Sequence, residues 1–102
     1  MKNINILLML FFTFLSTSNN AFAASGAELF KTCVRCHGED GAGRLNEKAP
    51  KIAGQYDWYI LKALNDFKSG ARKNPAMLPY LKNLSQNDFK ELASYASKLK
   101  VK

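Results

Sequence analysis

The chain has 102 residues, 15 basic against eight acidic, with one histidine and two cysteines, for a formal net charge of +7. That length holds one small domain, and its basic residues are spread from Lys31 to Lys102 rather than packed in a tract, which argues against nucleic acid as a partner. Two cysteines and one histidine cannot by themselves supply the four ligands of a structural zinc site, and phosphate-cradling loops and serine or carboxylate catalytic constellations are absent.

The first residues have the pattern of an export signal. Lys2 gives a minimal positive region, Ile4 to Leu15 is apolar, Ser16 to Asn20 is polar, and Ala21-Phe22-Ala23 has the small-x-small form of a cleavage site. This predicts a cleaved secretory signal peptide over 1–23, with a cut after Ala24 as the alternative, a single domain over 24–102 and a periplasmic location. The apolar run is about a dozen residues, short of the roughly 20 that span a bilayer, so no stable membrane insertion is expected. Loss of Lys2 lowers the net charge by one and leaves the domain basic. A domain this small is marginal on its own hydrophobic core and needs a staple.

Ser25-Gly26-Ala27-Glu28 has the form of a capping box, which starts a helix near Ser25. Within it Phe30, Cys33 and Val34 share a face, and Gly38 stops the helix after His37. Cys33-Val34-Arg35-Cys36-His37 reads as the attachment site of a c-type haem. Positions three apart lie on one helix face, so both thiols reach the two vinyl groups on one porphyrin edge, and His37 follows with an imidazole for an axial position on the iron. Three other readings compete. Glu39 or Asp40 could complete a zinc site; a thioredoxin-like pair would need a βαβ pattern, and no strand-like alternation is present; a disulfide between Cys33 and Cys36 suits an exported chain. Covalent haem would use both sulfurs and form the centre of the core, so the chain without it should be poorly folded.

Gly38 to Gly54 reads as a loop around one edge of the ring, with Gly41 and Gly43 permitting turns. The Pro50 carbonyl is expected to accept the second N–H of the ligating imidazole. Asp57 can cap a helix running to about Ser69 with Gly70 as its stop, and Ile60, Leu61, Leu64 and Phe67 form its apolar stripe. Trp58 and Tyr59 are placed near the cofactor pocket, with Gln55, Tyr59 or Arg72 as a donor to a haem propionate.

Ala71 to Leu84 holds Pro75 and Pro79 and is too broken for one helix. Met1 and Met9 leave with the leader, so Met77 is the one thioether of the mature chain. A lone methionine is ordinarily a core gap-filler. On a proline-bounded loop downstream of a haem motif it is a candidate second axial ligand, paired with His37. Ser85 to Asp88 reads as another capping box, followed by Phe89, Leu92, Ala93, Ala96 and Leu99 at helical spacing. This last helix should cross the first, pressing Leu92 and Tyr95 toward Gly26 and Phe30. No internal repeat is present, which fits one haem.

Taken in order, these residues resemble class I c-type cytochromes, specifically the small bacterial mono-haem c4/c5/c553-like group. The likeness runs through G-x-x-x-F (Gly26 to Phe30), C-x-x-C-H-G (Cys33 to Gly38) and P-x-I-x-G-Q from Pro50. It continues with Tyr59, Leu64, Phe67, G-x-R at Gly70 and Arg72, N-P-A-M at Asn74 to Met77, and L-S-x-x-D at Leu84 to Asp88. The resemblance implies an all-α, class I cytochrome c fold, with three main helices wrapped around a covalently bound haem. It assigns thioethers to Cys33 and Cys36 and the iron ligands to His37 and Met77. It also implies a one-electron carrier rather than a catalyst, passing electrons from a quinol-oxidising complex to a terminal oxidase or reductase of a respiratory chain. Two rivals stand beside it: a haem enzyme with an open distal position acting on peroxide or a small gas, and a non-haem metal or disulfide module.

Overall fold

A computed structural model describes residues 23–102; apart from Ala23, the export leader expected over 1–23 lies outside the described residues. The first helix, α1 (Gly26–Phe30), starts as its sequence predicts, with the Ser25 hydroxyl accepting the Glu28 N–H at 3.3 Å. The reciprocal half of that capping box does not form, because the Glu28 carboxylate pairs with Lys31 at 3.1 Å instead.

The expectation of one helix running to His37 is corrected. Cys33 N–H bonds the Phe30 carbonyl at 2.8 Å, and the Thr32 hydroxyl donates to the Leu29 carbonyl at 3.1 Å. These are contacts three residues back, so the chain tightens through 31–33. A second short helix, α2 (Val34–His37), then carries the motif to its end, where Gly38 at φ 84° donates its N–H to Val34.

From Gly38 the chain folds back on His37. Gly43 N–H reaches the His37 carbonyl at 2.8 Å, while Ile52 and Ala53 both donate to Gly41. Arg44 pairs with Ala49 across a 3-10 turn at Leu45–Glu47. Only glycine fits at position 43. Its φ is +82°, and a Cβ there would lie 2.6 Å from the Ala49 carbonyl oxygen.

Helix α3 (Asp57–Ser69) buries Ile60 and Leu64 and ends at Gly70 in the left-handed conformation. Tyr56, not Asp57, is its cap; the Asp57 carboxylate accepts the Trp58 N–H at 2.7 Å from inside the first turn. After the proline-broken segment, α4 (Leu78–Leu81) is a single turn that buries Leu81. The final helix, α5 (Gln86–Ser97), has both halves of its capping box: Ser85 Oγ accepts from Asp88 at 3.1 Å and Asp88 Oδ2 accepts from Ser85 at 2.9 Å.

Helix α5 is the hub, packing on α1 along one flank and on α3 along another. Phe89 is fully buried at the centre, with Leu92, Ala93 and Ala96 completing the inward face. The crossing with α1 is close, as the sequence predicts. A Cβ on Gly26 would lie 2.6 Å from the Tyr95 Cβ, and the Phe30 and Tyr95 rings sit 5.2 Å apart. Among the described residues the structure is helical, with the isolated Arg44–Ala49 bridge the one extended pairing.

Candidate functional site

The hydrophobic core opens on a hollow walled by residues of α1, α3, α4 and α5. A cavity of 470 Å³ is walled by Phe30, Ile60, Leu64, Leu81 and Leu92, and adjoins a second of 300 Å³. Cys33, His37, Pro50 and Met77 line both, and Cys36 lines the second. The fold therefore brings all four sequence-predicted site residues, from α2 and from the loop before α4, to one apolar space. The pocket opens to the surface and is walled mainly by apolar side chains. The space fits a large, mostly apolar occupant and does not fit a packing defect. Two thiols, an imidazole and a thioether on its wall are the donor set that a c-type haem requires.

His37 is the one buried polar side chain among the described residues, at 5% exposure. Its Nδ1 lies 2.9 Å from the Pro50 carbonyl oxygen. A carbonyl only accepts, so Nδ1 holds the proton and Nε2 keeps its lone pair for the cavity. The partner expected from the sequence is thus in place, and its position is secured by the Gly43-to-His37 bond earlier in the same loop. Met77 is half-buried, and its N–H is held by both the carbonyl and the side-chain oxygen of Asn74, at 3.2 and 3.3 Å.

Burial pushes the Cys33 thiol above its ordinary range; a contact with the Thr32 hydroxyl opposes this and the neighbouring Cys36 adds to it. Cys33 and Cys36 are not joined to each other in this structure. Of the two carboxylates that could complete a zinc site, Asp40 is engaged elsewhere. Asp40 accepts the N–H groups of Lys102 and Ala42, each at 3.1 Å, and these bonds hold its carboxyl below the usual range. Among the described residues no group of three or more histidine, cysteine or acidic side chains is gathered to hold a metal ion. Among the described residues no strand flanks the motif, against a thioredoxin-like arrangement.

Gln55, Tyr59 and Arg72 line the larger cavity, as their proposed role toward a propionate requires. The Arg72 guanidinium is steadied 4.8 Å from the centre of the Phe67 ring. Trp58 is a correction: it is 62% exposed and does not line the cavity. Lys48 and Lys51, which sequence reasoning passed over as surface charge, line it. Lys48 does so from a left-handed backbone at φ 52°, the one non-glycine residue with positive φ among the described residues. No pattern in the sequence marks that conformation.

Comparison with known proteins agrees with this geometry. The family model described as Cytochrome c matches residues 23–100. The chain is similar to cytochrome c4 of Pseudomonas aeruginosa, at 38% identity over 79 residues, covering 78% of this chain and 39% of that protein. It is similar to cytochrome c-553 of Helicobacter pylori, at 38% identity over 86 residues, covering 84% of this chain and 90% of that one. Among solved structures it resembles reduced recombinant cytochrome c4 from Pseudomonas stutzeri, with a TM-score of 0.68 and 32% identity, covering 74% of this chain and 46% of that one. The chain thus spans less than half of the cytochrome c4 relatives and most of the c-553 relative.

Proposed function

The chain belongs to the cytochrome c family, with the class I helical fold and one covalently attached c-type haem, and on that premise we propose that it is a one-electron carrier whose iron is held by His37 and Met77. The haem supplies an iron that changes oxidation state by one electron. Cys33 and Cys36 tether its edge through thioethers. The Pro50 carbonyl keeps His37 in the tautomer that presents Nε2 to the cavity. Met77 would hold the iron together with His37, leaving no place for substrate chemistry, and an imidazole–thioether pair would raise the reduction potential. The apolar wall from Phe30 to Leu92 keeps water away, and Gln55, Tyr59 or Arg72 serves as a donor to a propionate.

Residues 1–23 form a cleaved export signal and 24–102 the working domain, which acts in the periplasm. Its donor is a quinol-oxidising complex and its acceptor a terminal oxidase or reductase of a respiratory chain, met through weak docking of opposite charge. Among the described residues no helix is long and apolar enough to cross a membrane.

One observation carries this reading: Cys33, His37 and Met77 share one apolar cavity, with the imidazole already oriented by Pro50. The test is an optical redox titration of the purified holoprotein, with haem staining after denaturing electrophoresis. A covalently retained haem with a reversible one-electron transition is expected. Colourless protein, or haem lost on denaturation, would contradict it.

A further inference from the structure

The aromatic side chains at the start of α3 do no work in the core. Tyr56, Trp58 and Tyr59 are 72%, 62% and 45% exposed. The Tyr56 and Trp58 rings stack with centroids 5.9 Å apart, and Trp58 meets Tyr59 edge-on at 6.1 Å. Tyr59 also lines the larger cavity, so the strip runs outward from the cavity rim to the surface. A contiguous exposed aromatic patch is unfavourable in water unless something covers it. Tyrosine and tryptophan are also the side chains that most often dominate protein–protein contacts.

Charge identifies what covers it. Lys48 and Lys51 are exposed on the same cavity rim, Arg72 stands there too, and no aspartate or glutamate lines that cavity. The ion pairs among the described residues are Lys31–Glu28 and Lys62–Asp66, so neither rim lysine has a carboxylate partner. With Arg72 a candidate for a propionate, Lys48 and Lys51 remain exposed and make no ion pair among the described residues. Asp57, between the aromatic residues, is turned back on its own helix, where it accepts the Trp58 N–H. A second copy of this chain would bring the same lysines and the same positive net charge, and would be repelled. The other cavity reaches the surface at Ala76 and Tyr80, where a carboxylate, Glu47, is in the lining and one exposed aromatic ring stands alone.

We propose that the Tyr56–Trp58–Tyr59 strip, flanked by Lys48 and Lys51, is the docking surface for an acidic redox protein, with Tyr59 bringing that partner against the cofactor cavity. The proposal rests on the electron-carrier reading. The electron leaves ferrous haem iron, which becomes ferric, and enters the partner's oxidised centre; no bond forms and no proton moves.

Oxidised plastocyanin, an acidic blue-copper protein, is a suitable probe, its copper passing from Cu(II) to Cu(I). Stopped-flow rates of the ferrous holoprotein with plastocyanin are compared with those for tris(phenanthroline)cobalt(III), a small oxidant that needs no protein docking. Joint Tyr56→Ala and Trp58→Ala substitution should slow the plastocyanin reaction about tenfold or more at low salt, the loss expected of a hot spot. Lys51→Gln should flatten its salt dependence. The cobalt reaction and the reduction potential should not change in the Tyr56 and Trp58 double variant. A plastocyanin rate unaffected by the double substitution overturns the proposal. Self-association that disappears with Trp58 would also overturn it, by assigning the strip to a second copy. If the unaltered protein reacts with neither oxidant, the carrier reading falls and the docking surface with it.

Discussion

The imidazole Nδ1 of His37 and the carbonyl oxygen of Pro50 are 2.9 Å apart, joining residues 13 apart in the chain. The acceptor is backbone, so a side-chain substitution does not remove it. Pro50→Ala should keep the bond and lose only the stiffness of the proline ring, about 0.4–1 kcal/mol. The holoprotein variant should retain a slowly exchanging His37 ring N–H by proton NMR and show a lower denaturant midpoint. A rapidly exchanging ring proton would mean that the ring itself, not the carbonyl, needs Pro50.

The α1–α5 crossing makes a sharper demand. Gly26 is buried against the Glu91 carbonyl and the Tyr95 Cβ, both of them on a helix that cannot retreat without disturbing Phe89 and Leu92. Gly26→Ala should therefore destabilise by roughly 1–3 kcal/mol through overpacking, although alanine is the better helix former. Chemical denaturation of the holoprotein measures this. A variant as stable as the parent would show that the crossing is looser than it looks.

Much of this was readable beforehand because the signals were local. Ser85 and Asp88 name their own partners three residues apart, and both bonds form. The C-x-x-C-H spacing announced its chemistry without any tertiary information. What failed depended on competition between near neighbours. Glu28 had a choice between the Ser25 backbone and Lys31, and took the lysine. The chain through 31–33 tightened onto contacts three residues back, which helical periodicity does not forbid. Trp58 faces outward because the period of α3 commits Ile60 and Leu64 to the core and Tyr59 to the cavity rim, leaving position 58 on the wet side. Lys48 was invisible for another reason. Its left-handed backbone is imposed by the 3-10 turn and the Arg44–Ala49 bridge, and nothing about a lysine signals it.

Asp40 should make stability depend on acid. The backbone N–H groups of Lys102 and Ala42 lower its carboxyl pKa in the folded chain. Its contribution is therefore fully present above the unfolded carboxyl pKa of about 4 and is lost as pH falls through the lower folded value. Asp40→Asn should melt below the parent at neutral pH, and the gap should close in strong acid, as followed by thermal melts of both holoproteins across that range. A gap that persists undiminished would locate the effect in packing rather than in the charge.

The pairing of His37 with Met77 is tested most directly by Met77→Ala in the purified holoprotein, read by absorption and by redox titration together. Loss of the sulfur-to-ferric-iron absorption band, a lower reduction potential and new uptake of cyanide or carbon monoxide are expected. A variant whose spectrum and potential match the parent's would show that the thioether never held the iron.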